Sequence, residues 1–395
     1  MTETRVHTLP PPAPEAAAHS ARLMDVIRAE IEAGSGSIGF ARFMALALYA
    51  PGLGYYSAGT RKFGADGDFV TAPELSPLFA RSLARQCREI LQRVARGDIL
   101  ELGAGSGVMA ADLLAEMEAQ GALPEHYFIL EISAELRQRQ RMLLERRLPH
   151  LMPRIRWLDT LPAQAMQGVV IANEVLDAMP VHRFQIARGA VRELRVACRG
   201  DSFAWCDAPA GGALQSAVTA LQKELGRDLP QGYASEINLG LAPWLAGVAA
   251  PLERGALLLI DYGYPRREYY HPQRASGTLM CHYRQRAHPD PLVLAGLQDI
   301  TAYVDFTAVA EAGTSAGLEL GGYTTQAHFL LACGVLELAA AAGPGPGREY
   351  LELARQVKQL TLPGEMGERF KVMALKRGIP GPLQGFTLQD QRGRL

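Results

Sequence analysis

A glycine-rich turn separates a predicted strand from a predicted helix in the stretch ILELGAGSGV, residues 99–108. Gly103, Gly105 and Gly107 can adopt positive φ and can let a ligand approach the main chain closely. Such a turn is typical of sites that bind an adenosine compound, although it also occurs as a plain connection without a ligand. The turn therefore indicates a nucleotide-type ligand without saying which one.

Two acids narrow the choice of ligand. Glu131 ends the next apolar stretch, 24 residues after Gly107, where a carboxylate can accept hydrogen bonds from both ribose hydroxyls. A dinucleotide-binding turn reads G-x-G-x-x-G, whereas this turn reads G-x-G-x-G and begins two residues after Glu101. That acid would repel a pyrophosphate but would tolerate an ammonium and a sulfonium. The pattern favours S-adenosylmethionine over NAD, so a nicotinamide oxidoreductase is disfavoured.

A second group of polar residues follows another predicted strand, in IANEVLDAMPVHRF, residues 171–184. Ligands of open α/β sheets bind beyond the carboxyl ends of the strands. Glu174 and Asp177 could bind a guanidinium in bidentate fashion and offset its repulsion from a sulfonium, while Asn173 offers an amide. Glu174 could instead cap a helix, Asp177 could be structural, and His182 could be a base or a structural residue of a strand.

Other polar residues leave their roles open. Asp261 and Tyr262, in DYGYP, could line the acceptor channel or close a turn. The loop 51–77 is too long for a plain connector, and its aromatic residues argue against disorder. If it folds over the ligand as a lid, Asp68 would contact the cofactor or the acceptor. Glu74 could act there or could only begin the next helix, a long amphipathic one expected to run from Glu74 to about Arg96.

Composition limits the class of protein. The chain has 395 residues, 48% of them apolar, and a formal net charge of −1, so we expect no nucleic-acid partner. The five scattered cysteines have no metal or redox spacing, and we expect no metal. No apolar run approaches the ~20 residues of a membrane span, and residues 1–19 lack the features of a signal or transit peptide. We expect a cytoplasmic protein without membrane insertion.

The elements that position these residues follow from hydrophobic periodicity. Apolar strands alternate with helical segments after Gly97, which predicts a mostly parallel sheet covered by helices on both faces, in the α/β class. Ser20 is the expected N-cap of the first helix. The expected strands are 98–102, 127–131, 154–158, 168–173, 256–261, 318–323 and 368–377. The expected organisation is a disordered leader at 1–19, a helical and lid segment at 20–97, a Rossmann-like domain at 98–377 with inserts at 181–250, 264–300 and 324–365, and a C-terminal tail at 378–395.

Nine motifs occur in one order along the chain. They are GDFVTAPELSPLFA, ELGAGSG, LEIS, QRQ, ANEVLDAMPVHRF, LLLIDYGYP, GTLMCHYRQRAHPDPL, DITAYVDFT and MGERFKVM, within residues 50–377. With them the chain resembles the MidA / NDUFAF7 family of class I S-adenosylmethionine-dependent methyltransferases, which is linked to respiratory complex I. Val175 and Leu176 depart from the family, which commonly has aromatic residues there.

The resemblance implies a fold and an activity. The fold is a class I, Rossmann-like sheet whose last strand is antiparallel. Glu101 would face the methionine end of the cofactor, Glu131 the ribose and Asp159 the adenine amine. The mitochondrial member of the family methylates arginine on a complex I subunit during assembly, so a protein substrate is implied here, with a complex I subunit as the candidate, in a bacterial-type relative. The acceptor need not be the same.

The predicted function is methyl transfer from S-adenosylmethionine, most simply to arginine in a protein. An assembly chaperone that uses the same cleft without turnover and a small-molecule N-methyltransferase are the alternatives. An oligomer is compatible with the sequence, with the 181–250 insert as an interface. The residues predicted for catalysis are Asn173, Glu174, Asp177 and His182, and those predicted for the cofactor are Glu101, Gly103, Ala104, Gly105, Gly107, Glu131, Asp159 and Asp68.

Overall fold

The computed structural model describes residues 9–58, 71–341 and 348–395. The helices of these residues are α1 Pro14–Ala33, α2 Phe40–Tyr49, α3 Ala72–Leu75, α4 Pro77–Arg93, α5 Val108–Ala119, α6 Ala134–Arg147, α7 Gly212–Leu225, α8 Leu241–Ala249, α9 Arg266–Tyr269, α10 Phe306–Ser315, α11 Gln326–Ala332, α12 Val335–Ala341, α13 Arg348–Thr361 and α14 Met366–Arg369. The strands are β1 Ile38–Gly39, β2 Asp98–Leu102, β3 Tyr127–Leu130, β4 Ile155–Leu158, β5 Met166–Asn173, β6 His182–Ala187, β7 Ala190–Arg199, β8 Ser202–Pro209, β9 Ala234–Ile237, β10 Leu252–Tyr264, β11 Met280–Tyr283, β12 Arg286–His288, β13 Asp299–Thr301, β14 Val304–Asp305, β15 Glu319–Thr325 and β16 Phe370–Arg377.

The chain divides into two compact units. The first contains the described part of Met1–Phe69 together with Pro180–Asn238 and Ala275–Ala302. The second contains Val70–Met179, Leu239–Arg274 and Tyr303–Leu395, as far as these are described. The expected insert 181–250 is therefore shared between the units, because α8 packs into the sheet core of the second.

The first unit is built on antiparallel strands. Strands β1, β7, β6 and β9 pair in that order, and β8 also pairs with β7. Strands β12, β11 and β13 form a small separate sheet. Helix α2 lies against this unit's larger sheet through aromatic contacts, with the ring centroids of Phe40 and Trp205 5.0 Å apart. Aromatic rings bury large apolar areas, so such contacts stabilise the packing of α2 on the sheet.

The first helix begins earlier than expected. The prediction that Ser20 is its N-cap is wrong, because α1 starts at Pro14, where the missing N–H of proline costs nothing in the first turn. Ser20 is buried in the middle of the helix, and its hydroxyl donates a hydrogen bond to the carbonyl oxygen of Ala295 at 2.8 Å. A serine near the start of a helix can cap the helix or can form a tertiary hydrogen bond. The sequence pattern does not distinguish the two roles.

The second unit is built on an eight-stranded sheet. Its strand order is β15-β16-β10-β5-β2-β3-β4, and β14 pairs with the end of β10. Neighbouring strands from β10 to β4 are parallel, whereas β16 is antiparallel to both β10 and β15. The prediction of an α/β fold with a mostly parallel sheet and an antiparallel last strand is confirmed.

Alternating residues of the central strands enter two different cores. Ile99, Val169 and Ile171 belong to one cluster of buried residues. Leu100 and Val170, one position away on the same strands, belong to the other. Since each strand of a parallel sheet is apolar on both faces, helices must cover both sides. Helices α4 and α5 contribute to the first cluster, and α8 and α10 contribute to the second.

Two predicted boundaries differ for local reasons. The long helix expected from Glu74 to Arg96 is two helices, α3 and α4, because Ser76 precedes Pro77 and is extended, with φ −159° and ψ 136°. The Ser76 hydroxyl caps α4 by accepting from Leu78 N. The expected C-terminal tail is packed, since Phe386 is buried against the ring of Phe329.

The order of the strands reverses between β2 and β5. From β2 the chain proceeds outward to β3 and then β4, and it returns through β5 to reach β10 on the other side. The connections that follow β2 and β5 therefore leave the same edge of the sheet in opposite directions. Such a switch point leaves a crevice at the carboxyl edge, where ligands of open α/β sheets bind.

Gly168, in β5, lies very close to Asp98, the first residue of β2. A Cβ at Gly168 would lie 2.0 Å from the carbonyl oxygen of Asp98, a clash that no rotamer relieves. We expect Gly168→Ala to lower the free energy of unfolding by at least about 3 kcal/mol, measured by urea denaturation. The control is Gly121→Ala, which has positive φ but nothing within 4 Å of its Cβ and should cost about 1–2 kcal/mol. Equal losses in the two variants would contradict the close approach.

Candidate active site at the switch point

The glycine turn connects β2 to α5. Gly103, Gly105 and Gly107 have φ of +66°, +53° and +85°, so all three adopt the left-handed conformation that other residues avoid. A Cβ at Gly107 would lie 3.2 Å from the Cα of Gln140. The glycines are therefore needed for the path of the turn and for its contact with α6. Ala104, between the first two, is buried.

The turn is also tied to the short helix α3. The Ser106 hydroxyl donates a hydrogen bond to the Glu74 carboxylate and accepts one from the main-chain N of Val108 at 3.3 Å. Glu74 thus contacts the glycine turn directly. Its role is not limited to the start of a helix. Asp68 lies outside the described residues, as do residues 59–70 of the expected lid.

Glu101 is buried beneath the turn. Glu101 is only 1% exposed. Its Oε2 accepts a hydrogen bond of 2.7 Å from the Tyr127 hydroxyl. Burial raises the pKa of Glu101 to about 7. The hydrogen bond from Tyr127 opposes this rise, and the negative charge of Glu131 adds to it. A nearby cation would favour the ionised form of this carboxylate.

Glu131 follows β3 and is held by two donors. Ser133 N donates to its Oε1 at 3.0 Å, and the side-chain amide of Gln140 donates to its Oε2 at 3.1 Å. Burial raises its pKa, and these hydrogen bonds oppose the rise. Each carboxylate oxygen can accept a second hydrogen bond. The Glu131 carboxylate therefore fits a ligand that presents hydroxyl donors.

Asp159 has a different environment. Its side chain is 87% exposed and pairs with the Arg137 guanidinium at 2.5 Å. Arg137 also donates to the carbonyl oxygen of Leu158 at 2.6 Å. The carboxylate after β4 is thus part of a surface ion pair, which accounts for its position without a ligand.

The residues after β5 form an acidic loop, residues 174–178. Asn173 is the last residue of β5. Glu174 has φ +52°, a conformation that costs a non-glycine residue energy. Its main-chain N donates to the carbonyl oxygen of Ile260 at 2.9 Å, and the Asn173 amide donates to its Oε1 at 3.4 Å. Strain of this kind in a polar loop marks a candidate functional site.

Asp261 anchors the acidic loop from the neighbouring strand β10. It is fully buried. Its Oδ2 accepts hydrogen bonds from the main-chain N of Leu176 at 2.9 Å and of Asp177 at 3.2 Å, and its Oδ1 accepts one from Tyr262 N at 2.9 Å. The sequence left its role open between lining a channel and closing a turn, and the structure shows that it holds the loop.

Burial raises the pKa of two carboxyl groups at this loop, those of Asp177 and Asp261. Burial raises the pKa of Asp177 to about 6, against a hydrogen bond from the Tyr262 hydroxyl. Burial and the charges of Asp177 and Glu174 raise the pKa of Asp261 well above its usual value. Within the described residues, Oδ1 of Asp177 and Oδ1 of Asn173 are buried and receive no hydrogen bond. The loop is therefore rich in acceptors and short of donors.

The glycine turn and the acidic loop are neighbours. A Cβ at Gly103 would lie 3.4 Å from Cγ2 of Val175, as expected of turns that leave adjacent strands at the switch point.

His182 belongs to the first unit, where it is the first residue of β6. Burial lowers its pKa and the charge of Glu193 opposes this. The second unit thus brings together Glu101, Glu131 and the acidic loop.

Two negative findings concern the described part of the chain only. Residues 9–58, 71–341 and 348–395 contain no group of three or more His, Cys, Asp or Glu side chains arranged to hold a metal ion. Among the helices of these ranges, none combines the length and apolarity needed to cross a bilayer.

The strand order, the glycine turn at the switch point and the buried acid after the next strand define a class I S-adenosylmethionine-dependent methyltransferase. Residues 82–324 match the family model described as "Putative S-adenosyl-L-methionine-dependent methyltransferase". The chain belongs to that family, and S-adenosylmethionine is its cofactor.

Proteins of known name and structure extend the match over nearly the whole chain. A Burkholderia thailandensis protein crystallised with S-adenosyl-homocysteine is 45% identical, with a TM-score of 0.93 over 98% of this chain and 100% of its own. The Drosophila melanogaster "Protein arginine methyltransferase NDUFAF7 homolog, mitochondrial" is 28% identical over 89% of this chain and 86% of its own length. The Danio rerio "Protein arginine methyltransferase NDUFAF7, mitochondrial" is 27% identical over 89% of both chains. The resemblance inferred from the motifs is confirmed.

Asp177 should cost stability at neutral pH. Its pKa rises from 3.8 to about 6 on folding, so the folded state binds the proton more tightly, and stability falls as pH rises through this interval. We expect Asp177→Asn to raise the free energy of unfolding by about 3 kcal/mol at pH 8, and the gain to vanish near pH 3, below the unfolded pKa. Urea denaturation across this pH range measures it.

The control for this prediction is Asp25→Asn, since the Asp25 side chain is 73% exposed in a surface ion pair and should matter little at either pH. A destabilised Asp177→Asn protein at pH 8 would show that the carboxylate contributes favourably there.

Proposed function

We propose that the protein methylates a guanidinium nitrogen of arginine in a protein substrate, with S-adenosylmethionine as donor. Two observations support this. Relatives that are 25–28% identical are named protein arginine methyltransferases. The acidic loop lies next to the glycine turn and offers buried oxygens that receive no hydrogen bond in the described residues. A subunit of respiratory complex I is the candidate acceptor, as the family resemblance implies.

The residues around the glycine turn fit the donor. S-adenosylmethionine supplies a methyl group on a positively charged sulfur. The glycines, with Ala104 between them, let an adenosine compound approach the main chain without meeting side chains. Glu131 has free acceptor capacity for ribose hydroxyls. Glu101 would face the positively charged methionine end, and its ionisation would then be favoured by that charge. Asp159 is the weakest of these assignments, because Arg137 already neutralises its carboxylate.

The acidic loop fits the acceptor, and this is the observation that carries the proposal. A guanidinium has five N–H donors and no acceptor, so it complements a loop with buried acceptors and few donors. Glu174 and Asp177 would hold the guanidinium, and Asn173 would fix its orientation. Their negative charge would offset the repulsion between two cations that must approach each other. His182 has no role in this proposal.

The proton balance also fits Asp177. When a nitrogen forms a bond to the methyl carbon, the bond from that carbon to sulfur breaks and the nitrogen loses one proton. Asp177, with a pKa of about 6, is mostly ionised at pH 7 and can take the proton on Oδ1. Asp261 keeps Asp177 in place through the hydrogen bond to its main-chain N. Catalysis is then mainly positioning and electrostatics.

A labelling experiment tests the function. Purified protein is incubated with isotope-labelled S-adenosylmethionine and the proteins of a host strain that lacks this gene, and peptides are analysed by mass spectrometry. We expect labelled methylarginine. Label on another side chain or only on small molecules would contradict arginine as the acceptor. Stable retention of a host protein without label would support the chaperone alternative instead.

Glu174→Gln tests the acidic loop. The amide keeps the shape of the carboxylate but removes the charge that binds the guanidinium. We expect labelling to fall at least about 100-fold, while the Kd for S-adenosyl-homocysteine measured by calorimetry stays within about twofold. Glu319→Gln is the control, because the Glu319 side chain is 74% exposed and lies in a surface ion pair with Lys376 at 3.6 Å. Full labelling by Glu174→Gln would exclude the proposed role of the carboxylate.

A further inference from the structure

We propose that Gln140 is a positioning residue for the adenosine part of the cofactor: its amide holds the glycine turn and Glu131 in one fixed relative geometry. This inference rests on the placement of the donor proposed above, and it does not depend on the identity of the acceptor. In the sequence, Gln140 is the last residue of the motif QRQ, and its residue type alone indicates no role in binding.

The Gln140 side chain joins three separate parts of the sheet edge. Gln140 lies in α6 and is fully buried. Its Nε2 donates hydrogen bonds to the carbonyl oxygen of Gly105 at 2.9 Å and to Oε2 of Glu131 at 3.1 Å. Its Oε1 accepts one from the indole Nε1 of Trp157, in β4, at 2.9 Å. One amide therefore connects the turn after β2, the acid after β3 and a side chain of β4.

Trp157 determines which way the amide faces. An indole N–H can only donate, so the carbonyl oxygen of Gln140 must face it. Both N–H groups of the amide are then directed to the two acceptors, Gly105 O and Glu131. The reverse orientation would place a donor against the indole donor and an oxygen against two oxygens. The guanidinium of Arg141 covers the Trp157 ring, 4.9 Å from its centroid, which helps to keep the indole in place.

The stem of Gln140 fixes the turn by contact as well. A Cβ at Gly107 would lie 3.2 to 3.3 Å from the Cα, Cβ and Cγ of Gln140, so α6 packs directly on the last glycine. The peptide between Gly105 and Ser106 is planar and trans. Holding its carbonyl oxygen toward Gln140 therefore fixes the opposite direction of the Ser106 N–H group. The Gln140 side chain thus fixes the peptide at Gly105, while the hydrogen bond between Ser106 and Glu74 holds the next residue of the turn.

The effect on Glu131 is one of orientation. Its two oxygens receive separate donors, Ser133 N and the Gln140 amide, so the plane of the carboxylate is fixed while each oxygen can still accept another hydrogen bond. A carboxylate that could rotate would lose part of its affinity for two adjacent hydroxyls, because the ordering would then occur on binding.

Calorimetry with S-adenosyl-homocysteine tests this role. We expect Gln140→Ala to weaken binding at least about 30-fold. Gln86→Ala is the matched control, because Gln86 is also fully buried, donates to Glu89 at 2.7 Å and accepts from Gly385 N at 2.7 Å. We expect Gln86→Ala to lower the unfolding midpoint by a similar amount and to leave the Kd within about twofold.

Gln140→Glu adds a readout that a purely structural role would not change. Its carboxylate would face Glu131 and the Gly105 carbonyl without a proton to donate at pH 8, and it could donate one when protonated. We expect binding of S-adenosyl-homocysteine by this variant to be weaker than that of Gln140→Ala at pH 8. At each pH the Kd of the variant is divided by the wild-type Kd. We expect this ratio to be at least about threefold smaller at pH 5.5 than at pH 8.

Trp157→Phe keeps the test decisive if the Gln140 variants do not fold. It removes the donor that orients the amide, and we expect a five- to tenfold weaker Kd. A folded Gln140→Ala protein with a Kd within threefold of wild type would overturn the proposal, as would equal weakening by Gln86→Ala or an unchanged Kd in Trp157→Phe. Failure to find methylarginine would leave these binding results intact, so the two proposals fail separately.

Discussion

The reversal of strand order between β2 and β5 is the constraint on which the whole site depends. Because β2 pairs in parallel with β3 on one side and β5 on the other, the connections after β2 and β5 leave the same edge and diverge. Leu102 and Ala172 are partners in the register, so the glycine turn and the acidic loop begin side by side. Backbone pairing places the donor and acceptor regions next to each other before any side chain contributes.

Buried acidic side chains are concentrated at this edge of the sheet, although the chain as a whole has almost no net charge. Glu101, Glu131, Asp177 and Asp261 are each at most 5% exposed. Burial alone would drive these groups toward their neutral forms. Main-chain N–H donors partly offset this at Glu131 and Asp261. A cation arriving at this edge would stabilise the charged forms, which gives the site a physical preference for positively charged ligands.

The acidic loop shows how strain is maintained. Glu174 has a left-handed backbone conformation that its own sequence does not favour. The Asp261 carboxylate, 84 residues later than Asp177, accepts hydrogen bonds from the loop at two positions. A fully buried group on a central strand can hold a loop more firmly than a group within the loop, because its position is fixed by the sheet. Glu174 and Asp177 thereby owe their positions to β10.

The sequence alone was sufficient for the features that depend on local periodicity and on residue type. The strands at 98–102 and 127–131, the glycine turn and the acid after β3 could all be located because apolar runs, glycine and strand ends are local signals. The boundary at Ser76 and Pro77 is equally local, but the amphipathic pattern continues across it and predicts one long helix. The role of Ser20 is not local, because a serine that caps a helix and a serine in a tertiary contact have the same sequence pattern.

What the sequence determined by itself was the order of the elements, the ligand-type turn and the acids at the strand ends. The tertiary structure alone decided which of these acids share an environment. It paired Asp159 with Arg137 at the surface, placed Asp261 beneath the acidic loop and set Gln140 between Gly105 and Glu131. The physical reason is that hydrogen bonds between distant segments depend on which strands become neighbours, and the pairing of strands is a property of the whole sheet.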